Sequence, residues 1–501
     1  MGLLQLYWSI LRSMWAASYA LASILTLTMT WVAIRGTATR SHTINLILSL
    51  LSDQLSELPI SIMILDACYY TWLTATGTFQ QSPLVRFFYY INIITAVGLI
   101  YLFKRAFEVR DVIHKHLEQY SKERREEIDL PGLTSPRFWQ QLLNPFHSPY
   151  NTTLYPNIPY WTPEEQLTAV ATDGWRASAD ITLDIYRPNE VAMGSDRPVL
   201  IYIHGGGSWT KGSKRITGPL VTEMLNQEWV VVSIDYRRSS RAGYPTQLID
   251  CKRALRWIKA EIDVFGGNPN NLVVAGDSSG GHLAAMLALT PNQPAYQPGF
   301  EDVDTTVQGC IAQTAILDLT DIQGYYHDDQ RTRFLRTVAK RGEAEKEKKE
   351  EKEKKKQEDG WPTANTTSTS TTTTTTTVED APTCISTSPE DLKFLMEHSP
   401  LHRITAEAPP FLVIHGDLDT IAPVGMARAF VDHFRRVVRG GVGGQQAMTY
   451  LEIPGGHHLF GLLSSPRTWY ATIAAAHWLE HHFEGRERGL AKNEDIVQWG
   501  W

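Results

Sequence analysis

Apolar residues follow two different rhythms along this chain. In the first hundred positions they form long uncharged runs. Met14 to Ile34 is 21 residues without charge between Arg12 and Arg35, and Phe87 to Phe103 is uncharged between Arg86 and Lys104. At the rise of an α-helix, 21 residues cover about 30 Å, the thickness of a bilayer's hydrocarbon core. The second run has Phe87, Phe88, Tyr89 and Tyr90 at one end and Tyr101 and Phe103 at the other, as expected of rings at headgroup level. Between them, Leu58 to Thr76 is also apolar but carries Asp66, and a carboxylate there costs about 2.5 to 3.5 kcal/mol on insertion scales. The expectation is a membrane region over 1–104 with two or three transmembrane helices. A cleaved leader is the alternative for Met14 to Ile34; the long segment before it and the second apolar run favour a retained anchor.

From about Pro159 the rhythm changes to short apolar runs alternating with helical periodicity. Val199–His204, Trp229–Asp235, Asn271–Ala275, Val307–Ile316, Phe411–His415 and Met448–Ile453 are β-branched or aliphatic and bounded by turn residues, so they read as strands. Gln247–Asp263, Ser279–Thr290, Val424–Val438 and Arg467–His482 carry apolar residues three and four apart and read as helices. Alternation of this kind predicts an α/β fold with a doubly wound, mostly parallel sheet over 159–490. An amphipathic linker is expected over 105–158. One segment breaks the pattern: Arg341–Asp359 is a Lys/Glu run and Asn365–Thr377 is almost all Thr and Ser. Such composition cannot bury enough apolar surface to offset ordering, so a disordered insertion is expected at about 341–380.

Composition narrows the function classes. An apolar share of 43% and a charged share of 20% are those of a globular protein, and a net charge of -7 gives no footprint for nucleic acid. Cys68, Cys251, Cys310 and Cys384 are widely spaced, which argues against a zinc site or a disulfide framework. Lys104, Arg105, Arg110, Lys115, Lys122, Arg124 and Arg125 follow the second apolar run, an excess that favours the cytosolic side. The expected setting is an endomembrane such as the endoplasmic reticulum with the folded domain in the cytosol. The sequons Asn151-Thr152-Thr153 and Asn365-Thr366-Thr367 would serve a luminal domain instead.

The chemistry lies in four short stretches, each after a strand. Gly276-Asp277-Ser278-Ser279-Gly280 sits between the strand Leu272–Ala275 and a helical run, the context of a nucleophile elbow that projects the Ser278 hydroxyl. His204-Gly205-Gly206-Gly207 offers backbone amides that can approach an oxyanion without a side chain in the way. Neither dinucleotide-loop nor Walker spacing accompanies it, so a phosphate cradle is disfavoured. Asp417 and Asp419 follow the strand Phe411–His415, and His457 and His458 follow the last strand. The chain order Ser, Asp, His is that of an α/β-hydrolase.

On these residues the stretch from about Pro198 to His482 resembles the hormone-sensitive-lipase-like esterases, and is especially similar to membrane-associated bacterial and fungal carboxylesterases. The shared motifs stand here as Tyr244-Pro245, Asp250, Lys252-Arg253-Ala254-Leu255, Trp257, Gly266-Gly267 and Gly280-Gly281-His282-Leu283. The resemblance implies Ser278 as nucleophile, Asp419 (before Pro423) as acid and His458 (in His458-Leu459-Phe460) as base. It further implies the amides of Gly206, Gly207 and Ser279 as oxyanion donors, with His204, Gly205, Gly276 and Gly280 as supporting motif residues. Asp417 and His457 are the structural neighbours of the chosen pair. Two departures stand out: Ser279 where relatives often have Ala, and Arg237-Arg238-Ser239-Ser240 in place of the usual Leu-x-Pro.

The expected activity is carboxylic-ester hydrolysis through an acyl-enzyme, with no metal or organic cofactor. Lipidic or small acyl esters at a bilayer are the expected substrates. A prenylcysteine methylesterase and an inactive membrane scaffold are the competing readings.

Overall fold

The computed structural model describes residues 2–36, 42–124, 151–173, 181–207, 209–326, 330–340, 388–438, 447–462 and 465–484, with a few positions between 130 and 139. The insertion expected at 341–380 lies outside the described residues, as do Asn365 and Cys384.

Four helices dominate the N-terminal region: α1 (Gly2–Arg35), α2 (His42–Glu57), α3 (Pro59–Ala75) and α4 (Pro83–Arg124). Among the described residues, two stretches, Leu4–Arg35 and Pro83–Glu118, are long and apolar enough to cross a membrane. Pro59 opens α3 at its first turn, where a missing N–H is not needed, and α2 and α3 meet at 85°. The third apolar run is thus one arm of a bent pair.

The stretch expected to be a linker over 105–158 divides differently. Its first part continues α4, a single helix of 42 residues, about 63 Å long at 1.5 Å per residue. That is twice a bilayer's core. Val109, Ile113 and Leu117 on its second half are buried against the α/β region. The last part of the stretch, Thr152–Pro159, is β1 of the sheet.

Among the described residues the sheet has eight strands, in the order β1-β2-β4-β3-β5-β6-β7-β8. Besides β1 they are β2 (Thr182–Pro188), β3 (Arg197–Ile203), β4 (Val230–Ile234), β5 (Gly267–Asp277), β6 (Gly309–Gln313), β7 (Phe411–Gly416) and β8 (Met448–Ile453). β2 pairs antiparallel with both its neighbours, β1 and β4, and all the other pairs are parallel. This mostly parallel mixed sheet fits an α/β hydrolase. β1 and β2 were not foreseen. β1 is an edge strand with a register shift and no buried side chain. β2 carries Asp184, fully buried and paired with Lys214 Nζ at 2.7 Å, which interrupts its apolar signal.

Alternation along β3 sends its residues to two faces. Val199, Ile201 and Ile203 join one buried cluster, Leu200 and Tyr202 the other. The first face is covered by α7 (Thr246–Glu261), α8 (Ser278–Leu289) and α10 (Val424–Val437). The second is covered by α6 (Pro219–Asn226), α11 (Pro466–Leu479) and the distal half of α4. The remaining labelled helices are α5 (Pro163–Asp173) and α9 (Pro389–Glu397). All twelve residues of α8 are buried, which explains its Ala, Leu and Gly content without a polar face.

Candidate active site

β5 ends at Asp277 and α8 begins at Ser278 without an intervening loop. Ser278 takes φ of 53°, the left-handed region that costs a non-glycine residue energy. The turn closes so tightly that a Cβ on Gly276 or Gly280 would collide with backbone carbonyls, of Gly280 and Ile203 respectively. Glycine at both positions is therefore a steric requirement. The result aims Ser278 Oγ away from the sheet edge.

His458 lies after β8, and Asp419 after β7. His458 Nδ1–H donates to Asp419 Oδ2 at 2.8 Å, and Nε2 lies 2.8 Å from Ser278 Oγ. With Nδ1 donating, Nε2 of the neutral ring accepts from the serine hydroxyl. All three residues are nearly enclosed, at 5–8% exposure.

The carboxylate is itself held. Asp419 Oδ1 accepts from the Ile421 and Ala422 amides at 2.9 and 2.8 Å. Its Oδ2 also faces His415 Nε2 at 3.3 Å, a ring that donates to the Ala422 carbonyl at 2.7 Å. Burial opposes ionisation of Asp419, but the His458 ring and the hydrogen bonds from His415 and His458 outweigh it and hold the carboxyl well below its usual range. For His458 burial disfavours the charged ring, and Asp419 reverses this, lifting its pKa above the ordinary value.

The glycine loop after β3 is tied to the elbow. Gly205 N–H donates to Asp277 Oδ1 at 3.2 Å, the same oxygen that accepts from Tyr202 Oη at 2.6 Å. His204 faces Asp235 Oδ1 with Nε2 at 3.1 Å and the Gly205 carbonyl with Nδ1 at 2.9 Å, and stacks on Tyr236 with centroids 4.7 Å apart. Gly206 N–H, one of the expected oxyanion donors, is occupied: it donates to Ser279 Oγ at 3.1 Å. The Ser279 departure thus touches the amide ring directly. Gly207 is exposed with φ of 39°.

A narrow cleft of about 50 Å³ opens beside His458, lined by Ile216, Leu220, Gln313, Leu459 and Leu462 among others.

The two rejected neighbours are engaged elsewhere. Asp417 accepts from Gly455 N–H at 2.6 Å and faces Arg105 Nη2 of α4 at 3.3 Å. His457 Nε2–H donates to the Ala33 carbonyl of α1 at 2.8 Å. Sequence reasoning passed over Asp53 and Glu57. His415 ends the expected strand that leads to Asp419, but its contact with that carboxylate is set by the fold and was not foreseen. Asp53 and Glu57 sit on α2 and reach the loop of His458 only through the tertiary fold. Among the described residues no three His, Cys, Asp or Glu side chains are grouped to hold a metal ion.

The BD-FAE family model matches residues 183–355. Three curated relatives from Mycobacterium tuberculosis match about three fifths of the chain. The probable carboxylic ester hydrolase LipM is 34% identical over 308 residues, 61% of this chain and 59% of its own. The esterase LipQ is 31% identical over 62% of this chain and 61% of its own, and the esterase LipC 33% identical over 61% and 63%. The chain thus spans about three fifths of the length of these relatives. Among solved structures, a truncated carbohydrate esterase from gut microbiota aligns with a TM-score of 0.46 and 17% identity over 68% of this chain and 98% of its own. By sequence, the chain is similar to the hormone-sensitive-lipase-like carboxylic ester hydrolases of the α/β-hydrolase family.

Proposed function

We propose that this protein is a membrane-held serine carboxylic ester hydrolase with Ser278 as nucleophile, His458 as base and Asp419 as the acid that orients it. The observation that carries the reading is the unbroken relay from Asp419 through His458 to Ser278, both links 2.8 Å long. Ser278 Oγ attacks the ester carbonyl as His458 Nε2 takes its proton, forming a C–O bond and an oxyanion. The amides of Gly207 and Ser279 stabilise that charge, joined by Gly206 once its bond to Ser279 Oγ opens. His458 then protonates the leaving alkoxide, the alcohol departs and an acyl-Ser278 remains. A water deprotonated by His458 attacks the acyl carbon and returns the acid and the free serine. Asp419 fixes the tautomer and stabilises the imidazolium.

Lipidic or small acyl esters supplied at a bilayer are the proposed substrates. Two helices long and apolar enough to cross a membrane support this reading, as do the aliphatic side chains lining the cleft. The cationic distal half of α4 favours the cytosolic side of an endomembrane. Asn151 is exposed at the start of β1, so resistance of the expressed protein to endoglycosidase is the expected outcome, and a mobility shift would put the domain in the lumen.

The activity is tested by turnover of a short-chain p-nitrophenyl ester by the full chain in detergent. Wild type is expected to hydrolyse it and Ser278→Ala to lose all but background. An inert wild type would leave a scaffold role in place of the enzyme.

A further inference from the structure

The loop that carries His458 is held from outside the sheet. Both neighbours of His458 bond to the N-terminal helices: Leu459 N–H donates to Asp53 Oδ2 at 2.9 Å, and His457 Nε2–H donates to the Ala33 carbonyl at 2.8 Å. His457 Nδ1 faces Asp53 Oδ1 at 3.4 Å, so one carboxyl group spans the residues on either side of His458. Asp53 is fully buried and His457 is 2% exposed. Burial pushes the His457 ring down to about 4, so it is neutral at pH 7. With Nε2 carrying the proton, Nδ1 presents a lone pair toward Asp53 Oδ1. Two further contacts fix the same face: Ser49 Oγ lies 3.1 Å from Thr420 Oγ1, one residue past Asp419, and Glu57 pairs with Arg467 at the start of α11.

We propose that Asp53 of α2 is a positioning residue for His458, which makes the N-terminal helices part of the active-site scaffold rather than a tether. This rests on the reading of Ser278, His458 and Asp419 as the catalytic set. A backbone shift at Leu459 carries the His458 ring with it, and a displacement of about 1 Å between reacting groups can cost about a hundredfold in rate. The chemistry Asp53 supplies is an acceptor for the Leu459 amide and a group facing His457 Nδ1. Asparagine supplies both: its carbonyl accepts from Leu459 and its N–H₂ donates to the Nδ1 lone pair. Alanine supplies neither.

The test uses the full chain in detergent with p-nitrophenyl butyrate, comparing wild type, Asp53→Ala and Asp53→Asn. Asp53→Ala is expected to lose about tenfold or more in kcat with KM within about threefold. Asp53→Asn is expected to recover to within about threefold of wild type. If the alanine variant does not fold, Asp53→Ser, polar but too short to reach Leu459, replaces it. An alanine or serine variant within threefold of wild-type kcat overturns the inference, as does an asparagine variant as impaired as alanine. Wild-type activity abolished by Ser278→Ala but indifferent to Asp53 removes the inference alone. Activity that survives Ser278→Ala removes the catalytic reading and the inference together.

Discussion

Glu57 on α2 and Arg467 on α11 stand 410 residues apart in the chain and form an ion pair from which both side chains are wholly shielded from solvent. Ser465 Oγ also donates to Glu57, and Arg467 Nε donates to the Pro454 carbonyl at 3.1 Å. Removing one partner of such a pair leaves a buried charge unmet, a cost of about 3 to 5 kcal/mol. Glu57→Ala is therefore expected to lower the unfolding midpoint of the detergent-solubilised chain sharply. The double variant Glu57→Met with Arg467→Met is expected to recover most of the loss. Equal stability of Glu57→Ala and wild type would contradict the pairing.

Asp419 is the reason His458 is more basic than an ordinary imidazole in so buried a place. With Asp419→Asn the charge that raises the His458 pKa is gone while the burial that lowers it stays. The acid limb of the kcat/KM profile, which reports the free enzyme's base, is expected to move to lower pH. kcat is expected to fall by about 10³ to 10⁴, because the amide also favours the wrong tautomer. A limb that moves to higher pH would contradict the assignment.

Ser279 holds Gly206 N–H at 3.1 Å in the resting site. An oxyanion would have to compete with that hydroxyl for the amide. Ser279→Ala frees the donor and keeps its own backbone N–H in place, so kcat is expected to rise, by about two- to tenfold, a fraction of what a whole oxyanion donor contributes. Steady-state kinetics on a nitrophenyl ester read this directly, and a fall in kcat would mean that the hydroxyl itself serves catalysis.

How much of this was legible in the chain depends on whether the information was local. The elbow at Ser278 is a local object, an apolar strand running straight into a helix with glycine where a Cβ would strike a carbonyl, and short-range pattern reveals it. The central strands β3, β4 and β7 are buried on both faces, so they read as short, mostly apolar runs. β1 and β2 hid because an exposed edge and the buried pair of Asp184 with Lys214 mimic the polarity of a loop. The continuity of α4 through 105–124 hid because its cationic composition changes at Lys104 although its backbone does not. Asp53 and Glu57 were not visible at all: an acidic residue on a helix reads as solvated until the fold sets another chain segment against it.

Lys252 gives the α/β region a measurable pH signature. Its Nζ is buried and donates to the Thr290 carbonyl at 2.5 Å and Thr305 Oγ1 at 3.0 Å, and burial pushes its pKa down to about 7. A lysine in the unfolded chain holds its proton to about 10.4. Between those values the unfolded state binds more protons than the folded state, so stability rises with pH, by up to about 1.4 kcal/mol per unit from this group. Below pH 7 both states are protonated and the contribution is flat. Unfolding midpoints taken from pH 6 to 9 are expected to climb in wild type and to lose that slope in Lys252→Met. The same slope in both would contradict a depressed Lys252.

The most direct measurement is covalent. The full chain is incubated with a fluorophosphonate and the modified peptide is mapped by mass spectrometry, with His458→Ala and Ser278→Ala in parallel. A relay of the kind drawn here predicts stoichiometric phosphonylation of Ser278, slowed by about two orders of magnitude or more in His458→Ala and absent in Ser278→Ala. Labelling at another residue, or a Ser278 that reacts as fast without His458, would contradict the account.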